Sequence, residues 1–162
     1  MAPDLAAGIA RAKGARRSGV RLGRWLTAEQ AESLLALSDL GTVRGIRDRA
    51  ILALLIGAGL RRSEAAALDL EHIQNRSNRW LVADLVGKGG RIRTVPMPAW
   101  SYAALQRWKE AAGICHGPVF RAIPRYGQIS SRRLSSQALY SIIRGSAEGV
   151  GVQARPHDLE PI

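Results

Sequence analysis

A chain of 162 residues, 46% of them hydrophobic, is long enough for one domain with a real core and too apolar for general disorder. Aromatic residues make up only 5%, so that core must rest on Leu, Ile, Val and Ala; the single cysteine, Cys115, excludes an intrachain disulfide framework and a cysteine-based metal site, and suits a reducing cytosol. A formal net charge of +11 points to a polyanionic partner, nucleic acid more readily than a membrane surface, because no basic amphipathic anchor with large aromatics accompanies the charge.

The basic residues are almost all arginine: among 24, only Lys13, Lys88 and Lys109 are lysine. A genome rich in G and C gives the same bias, but arginine also matches phosphate oxygens bidentately. Residues 1–24 carry Arg11, Lys13, Arg16, Arg17, Arg21 and Arg24 against Asp4 alone, with four glycines between them. This composition reads as a flexible basic arm or linker, either a solvated tail or an arm that contacts nucleic acid. The start has no long apolar run, so neither a secretory signal nor a membrane anchor is expected there. The most apolar stretch, AILALLIGAGL (50–60), is too short to span a bilayer and reads as a buried helix.

From residue 25 the pattern becomes that of a packed domain. Thr27 and Gln30 have capping-box spacing, followed by an apolar stripe of Leu34, Leu35 and Leu37. A second helix is predicted from about Gly45 to Ala58, burying Ile46, Ala50, Ile51, Leu54 and Leu55, with Gly57 and Gly59 turning the chain at its end. Ser63 is placed to cap a short helix through Glu64 to Leu68. The period then changes: residues 79–86 and 91–97 read as two short strands, joined by the glycines of GKGG (87–90) in a hairpin turn. Helical spacing returns over 99–112 and stops at Gly113. Residues 117–133 are irregular, basic and rich in turn formers, and Ser135 or Ser136 opens a last helix carrying Leu139, Ile142 and Ile143. No internal repeat is visible. The predicted fold class is α+β, mostly helical, with one small hairpin.

Three short stretches draw attention: GAGLRRSEAAAL (57–68), VGKGGRIRTVPMP (86–98) and RPHDL (155–159). Singly, each has an ordinary structural explanation: a solvated arginine at a helix end, a lysine in a glycine turn, a histidine capping a helix. In this order they resemble the catalytic domain of the tyrosine recombinases, the phage-integrase family. That family carries Gly-Leu-Arg-x-Ser-Glu at a helix junction and a hairpin lysine in a Gly-Lys-Gly…Arg-x-Val-Pro context. His-x-x-Arg, a His or Trp and a nucleophilic tyrosine follow. LTAEQAESLL, IRDRAILALLIGAGLRRSE and LSSQALYSIIRGSAEGVGVQARPHDL extend the resemblance over nearly all of residues 25–159. The basic arm, 1–24, resembles the linker that follows the family's N-terminal core-binding domain.

The resemblance implies the family's fold and a reaction on double-stranded DNA, strand cleavage and rejoining through a 3′-phosphotyrosine. It assigns Arg61 to the charge that builds on the scissile phosphate, Lys88 to protonation of the leaving sugar oxygen and His157 to phosphate hydrogen bonding and proton transfer. Arg62 should point elsewhere, and Glu64 should orient the helix or Arg61. Arg16, Arg17, Arg21, Arg91, Arg93, Arg132 and Arg133 are the expected DNA contacts. No cofactor is expected; no metal is needed where arginines stabilise the charge, and no clustered Asp/Glu/His set has ligand spacing.

The chain also departs from the family pattern. Glu160 stands where PHDL should continue into the second arginine, Pro161 follows, and Tyr102, Tyr126 and Tyr140 all precede His157. A carboxylate at 160 repels the phosphate an arginine would hold. The expectation is therefore a C-terminally truncated catalytic domain, 25–162, that cannot complete the cleavage cycle alone. It would be cytoplasmic and nucleoid-associated, and would self-associate or meet a full-length recombinase protomer. The alternative is a non-catalytic DNA-binding or interaction protein derived from the same fold. An RNA-binding role lacks the aromatic strand motif it would need.

Overall fold

The structure, a computed structural model, describes residues 26–87, 90–125 and 128–151. Helix α1 (Ala28–Ala36) begins where the sequence places it. Thr27 Oγ1 accepts the Gln30 N–H at 3.2 Å and Gln30 Oε1 accepts the Thr27 N–H at 2.9 Å, so two donors that the first helical turn leaves open are satisfied reciprocally. Helix α2 (Val43–Gly57) starts two residues before the predicted Gly45, because Thr42 caps it by accepting the Gly45 N–H at 3.0 Å. Six consecutive residues, Ala50 to Leu55, are buried. A helix segment apolar all round belongs in the middle of a fold, and this C-terminal half of α2 is what the other elements surround.

Helix α4 (Ala99–Ala112) lies along α2, and the approach is close enough for the buried Ser101 hydroxyl to donate to the Ala53 carbonyl at 2.7 Å. Gly113 at φ 59 ends α4 in the left-handed conformation that glycine adopts without strain. Helix α5 (Ser136–Gly149), capped by Ser135, closes the core with Leu139, Ile143 and Ala147, spaced one turn apart on one face. Ile142 is only partly buried. Among the described residues no helix is long and apolar enough to cross a membrane.

Gly45 fixes how the chain enters α2. A Cβ there would overlap the backbone carbonyl of Asp39. Alanine ordinarily favours a helix interior over glycine by up to about 1 kcal/mol. Here Gly45→Ala should instead destabilise by about 1–3 kcal/mol, because backbone cannot move aside as a flexible side chain can. A chemical denaturation midpoint equal to or above that of the unaltered chain would contradict this close approach.

The hairpin proves to be part of a three-stranded antiparallel sheet in the order β1 (Ile73–Arg76), β2 (Arg79–Val86), β3 (Ile92–Pro96). The sequence predicts only the last two. β1 is polar and short, and its two-residue connection to β2, Ser77 and Asn78, has positive φ at both positions (49 and 61) without the Asn-Gly or Asp-Gly pair that advertises such a turn. β2 carries a bulge. Val82 opposes Val95, but two pairs on Leu85 opposes Arg93, and Asp84 adopts φ 56 in between.

The irregular segment after α4 is held from several sides. Trp108 Nε1 donates to the Val119 carbonyl at 2.8 Å, Val119 N–H to Leu68 O at 3.0 Å, and Arg44 to the carbonyls of Ile123 and Pro124 at 3.0 and 2.8 Å. Lacking regular structure, this stretch meets its hydrogen-bonding needs through side chains and neighbouring backbone.

Candidate functional site around Arg61

Where α2 ends, Gly59 turns the chain at φ 62 and Leu60 is driven into the core. Arg61 follows with extended backbone and is the N-cap of α3 (Arg62–Ala67). The predicted cap, Ser63, is instead inside the helix: the capping contact comes from Glu64, whose Oε2 accepts the Arg61 N–H at 2.7 Å. Burying Leu60 while extending Arg61 leaves the Arg61 side chain at the surface, 45% exposed.

The Glu64 side chain is 1% exposed, yet it is fully engaged. Arg93 donates to it as a fork, Nη2 to Oε2 at 2.6 Å and Nε to Oε1 at 3.0 Å, while Arg61 Nη1 lies 3.5 Å from Oε1. Burial by itself pushes the Glu64 carboxyl up; the hydrogen bonds from Arg93 and the Arg61 amide, with the charges of both guanidiniums, outweigh it and hold the group below its ordinary value. The result is a buried carboxylate that holds two guanidiniums.

The β2–β3 turn lies against the same point. Gly87 N–H donates to Arg91 O at 2.8 Å and Gly90 N–H to Gly87 O at 3.1 Å. A Cβ on Gly87 would sit 3.2 Å from Arg61 Nη1 and 3.9 Å from Glu64 Oε1. A side chain there would crowd the Arg61 guanidinium, so glycine suits the close approach of the turn. The stretches GAGLRRSE and VGKGGRIR meet in one place, Arg93 reaching Glu64 across 29 residues of sequence.

The remaining site residues sort as follows. Arg62 points away, its guanidinium 5.5 Å from the ring centre of Tyr140, and Tyr140 is a half-buried packing residue. Arg91 and Arg132 are exposed. Arg133, expected to contact DNA, has its guanidinium on Asp69 at 2.7 Å and on the carbonyls of Ala66 and Leu68 at 3.1 and 3.2 Å, where it closes the C-terminal end of α3. Arg93, expected likewise, is engaged by Glu64 and by the Gly59 carbonyl at 3.1 Å. Lys88, His157, Glu160 and the arm residues Arg16, Arg17 and Arg21 lie outside the described residues. A groove of about 480 Å³ between the α1–α2 connection and α5 is lined by Asp39 and Asp48 among others; two carboxylates give it the wrong sign for a phosphate.

The role of Arg93 had a signal in the sequence that charge counting overlooks. In RIRTVPM, Arg93 is in phase with Val95 and Met97, the inward residues of the strand, whereas Ile92 and Thr94 are exposed. An inward arginine needs a buried anion, and Glu64 is the buried acid beside it.

Residues 24–160 match the Phage integrase family model, and the chain belongs to that family. Among curated relatives, the tyrosine recombinase XerC of Pseudomonas entomophila (strain L48) is 35% identical over 163 residues, covering 96% of this chain and 49% of the relative. The tyrosine recombinase XerD of Xanthomonas axonopodis pv. citri (strain 306) is 34% identical over 147 residues, covering 85% and 47%. The chain spans about half the length of these relatives. Of solved structures, the XerA recombinase superposes with a TM-score of 0.62 at 19% identity, over 83% of this chain and 47% of that one. The XerH site-specific recombinase, in a post-cleavage complex with palindromic difH substrate, gives 0.64 at 17% identity, over 83% and 39%. At these identities the likeness is one of fold, α+β with a small antiparallel sheet.

Proposed function

We propose that this domain binds double-stranded DNA and supplies the phosphate-stabilising part of a tyrosine recombinase site, for strand cleavage and rejoining through a 3′-phosphotyrosine. The observation that carries this is Arg61: a half-exposed guanidinium oriented from behind by a buried carboxylate and flanked by the glycine turn that precedes Lys88. A preorganised cation at the surface, with its orientation fixed before substrate arrives, is what stabilising developing phosphate charge requires. In this reading Arg61 holds the non-bridging oxygens, Lys88 delivers the proton to the leaving oxygen and His157 bonds the phosphate. The exposed Arg91 and Arg132, with Arg16, Arg17 and Arg21 of the arm, neutralise flanking phosphates.

Neither described tyrosine suits the role of nucleophile. Tyr102 stacks on Trp80 with ring centres 3.9 Å apart, and burial, then the charge of Glu110, pushes its hydroxyl up; Tyr140 lies under Arg62. Tyr126 lies outside the described residues, and in this reading the nucleophile is none of the three tyrosines that precede His157.

Duplex binding and trapping on nicked suicide substrates test this together. Affinity should fall with salt on a log–log plot with a slope of about −0.9 per phosphate neutralised, and removing residues 1–24 should flatten it. Arg61→Ala should weaken binding, and residues 1–162 alone should yield no covalent adduct. Binding that ignores salt overturns the DNA assignment. An adduct on Tyr102, Tyr126 or Tyr140 overturns this exclusion of the three as nucleophile. Unchanged affinity in Arg61→Ala would leave the alternative, a non-catalytic DNA-binding protein.

A further inference from the structure

We infer that Arg93 is a positioning residue: it locks the β2–β3 hairpin to Arg61 through their shared partner, the Glu64 carboxylate, so that the phosphate-binding guanidinium and the hairpin turn are held as one unit. The inference rests on Arg61 being the phosphate ligand proposed above.

Its first support is direction. Arg93 opposes the buried Leu85 and shares the inward face of β3 with Val95. β3's own alternation sets this phase, and the bulge in β2 brings the buried Leu85 opposite Arg93. Continuing the Val82–Val95 register without the inserted residue would set Leu85 against Ile92 and the exposed Asp84 against Arg93. Asp84 holds the bulge at φ 56, a conformation that Asp tolerates better than most residues. The sheet is thus irregular beside Arg93, where it sets a buried leucine against the arginine.

Its second support is connectivity. The Arg93 fork uses both oxygens of Glu64, and Nη2 also reaches the Gly59 carbonyl, two residues before Arg61. Glu64 in turn fixes the Arg61 amide and lies beside its guanidinium. One planar cation therefore spans β3, the α2–α3 turn and the start of α3. A lysine offers a point charge and cannot reproduce this fork. Two residues before Arg93, Arg91 O holds the Gly87 amide, and a Cβ on Gly87 would sit 3.2 Å from Arg61 Nη1. A shift of β3 would move the turn and Arg61 together.

The test is a double-substitution cycle in the whole chain. Duplex affinity and its salt dependence are measured for R61A, R93M, R93K and R61A/R93M, alongside amide hydrogen exchange. R93M should weaken binding on the order of tenfold when Arg61 is present. In the R61A background it should change neither affinity nor salt slope. R93K, which keeps the charge and guards against a variant that fails to fold, should show the same dependence on Arg61. If Arg93 instead bonds phosphate, R93M will weaken R61A further and lower its slope by about another 0.9, and the inference falls. Exchange separates the two proposals. Should R61A leave affinity unchanged, the phosphate role of Arg61 fails by itself; the lock still predicts that R93M speeds exchange at the Arg61 and Gly87 amides together. Faster exchange at only one of them, or a uniform rise along the chain, overturns the lock.

Discussion

Glu64→Ala should cost about 2–3 kcal/mol of folding free energy, read as a fall in Tm of roughly 5–10 °C. Removing one side of a buried ion pair normally costs more, but the Arg61 and Arg93 side chains are 45% and 36% exposed and can turn partly to water. What they cannot replace is the acceptor for the Arg61 amide, so α3 loses its first hydrogen bond as well. The same residue shapes the response to acid. Because Glu64 is held below its ordinary value of 4.5 in the folded chain, the stability it contributes is present above that pH and is lost as pH falls through the lower folded value. Asp48 opposes this: burial, only partly offset by Arg47, raises it, so protonating it favours the fold. Glu64→Gln should therefore flatten the acid limb of a stability–pH curve. A curve as steep as that of the unaltered chain would remove Glu64 from the account.

Trp108→Ala should be the most damaging single change, at about 3–5 kcal/mol. The side chain is wholly buried at the inner face of α4, and its indole N–H satisfies the Val119 carbonyl. Truncation leaves both a large cavity and an unpaired buried acceptor. Trp108→Phe keeps much of the volume and loses only the hydrogen bond, so it should cost distinctly less. Equal losses in the two variants, measured by denaturant titration, would mean that the hydrogen bond and not the packing dominates. The damage should spread toward the site, since Val119 N–H bonds the Leu68 carbonyl just beyond α3.

The sequence was most legible where local chemistry decides the outcome. Thr27 with Gln30, the stop at Gly113 and strand 79–86 stand where spacing and propensity put them, and of the two serines expected to open the last helix Ser135 is the cap. Legibility failed where a tertiary partner decides. Ser63 is a better intrinsic cap than Arg61, yet a buried glutamate from one turn ahead caps the helix. β1 is a strand because β2 lies beside it, not because Ile73–Arg76 favour extension. Of the site, Arg61, Glu64 and the glycine turn were visible as a motif. That Arg93 and Arg133 serve the protein's own carboxylates and carbonyls was hidden by their charge, which reads the same on a DNA-facing surface as in an internal ion pair.

Helix α3 has six residues, too few to persist by its own hydrogen bonds. Both of its ends are closed by arginines from far along the chain, Arg93 at 29 residues from Glu64 and Arg133 at 67 residues from Ala66. Loop closure must therefore precede α3, which makes it a late arrival in folding. Synthesis from the N-terminus gives the same order: the ribosome must release residues through Arg133 before α3 can be fastened at both ends. Until then Arg61 is a charge on a loose strand. The proposed phosphate site around Arg61 is thus among the last features to assemble, and one that a nascent or partly opened molecule lacks.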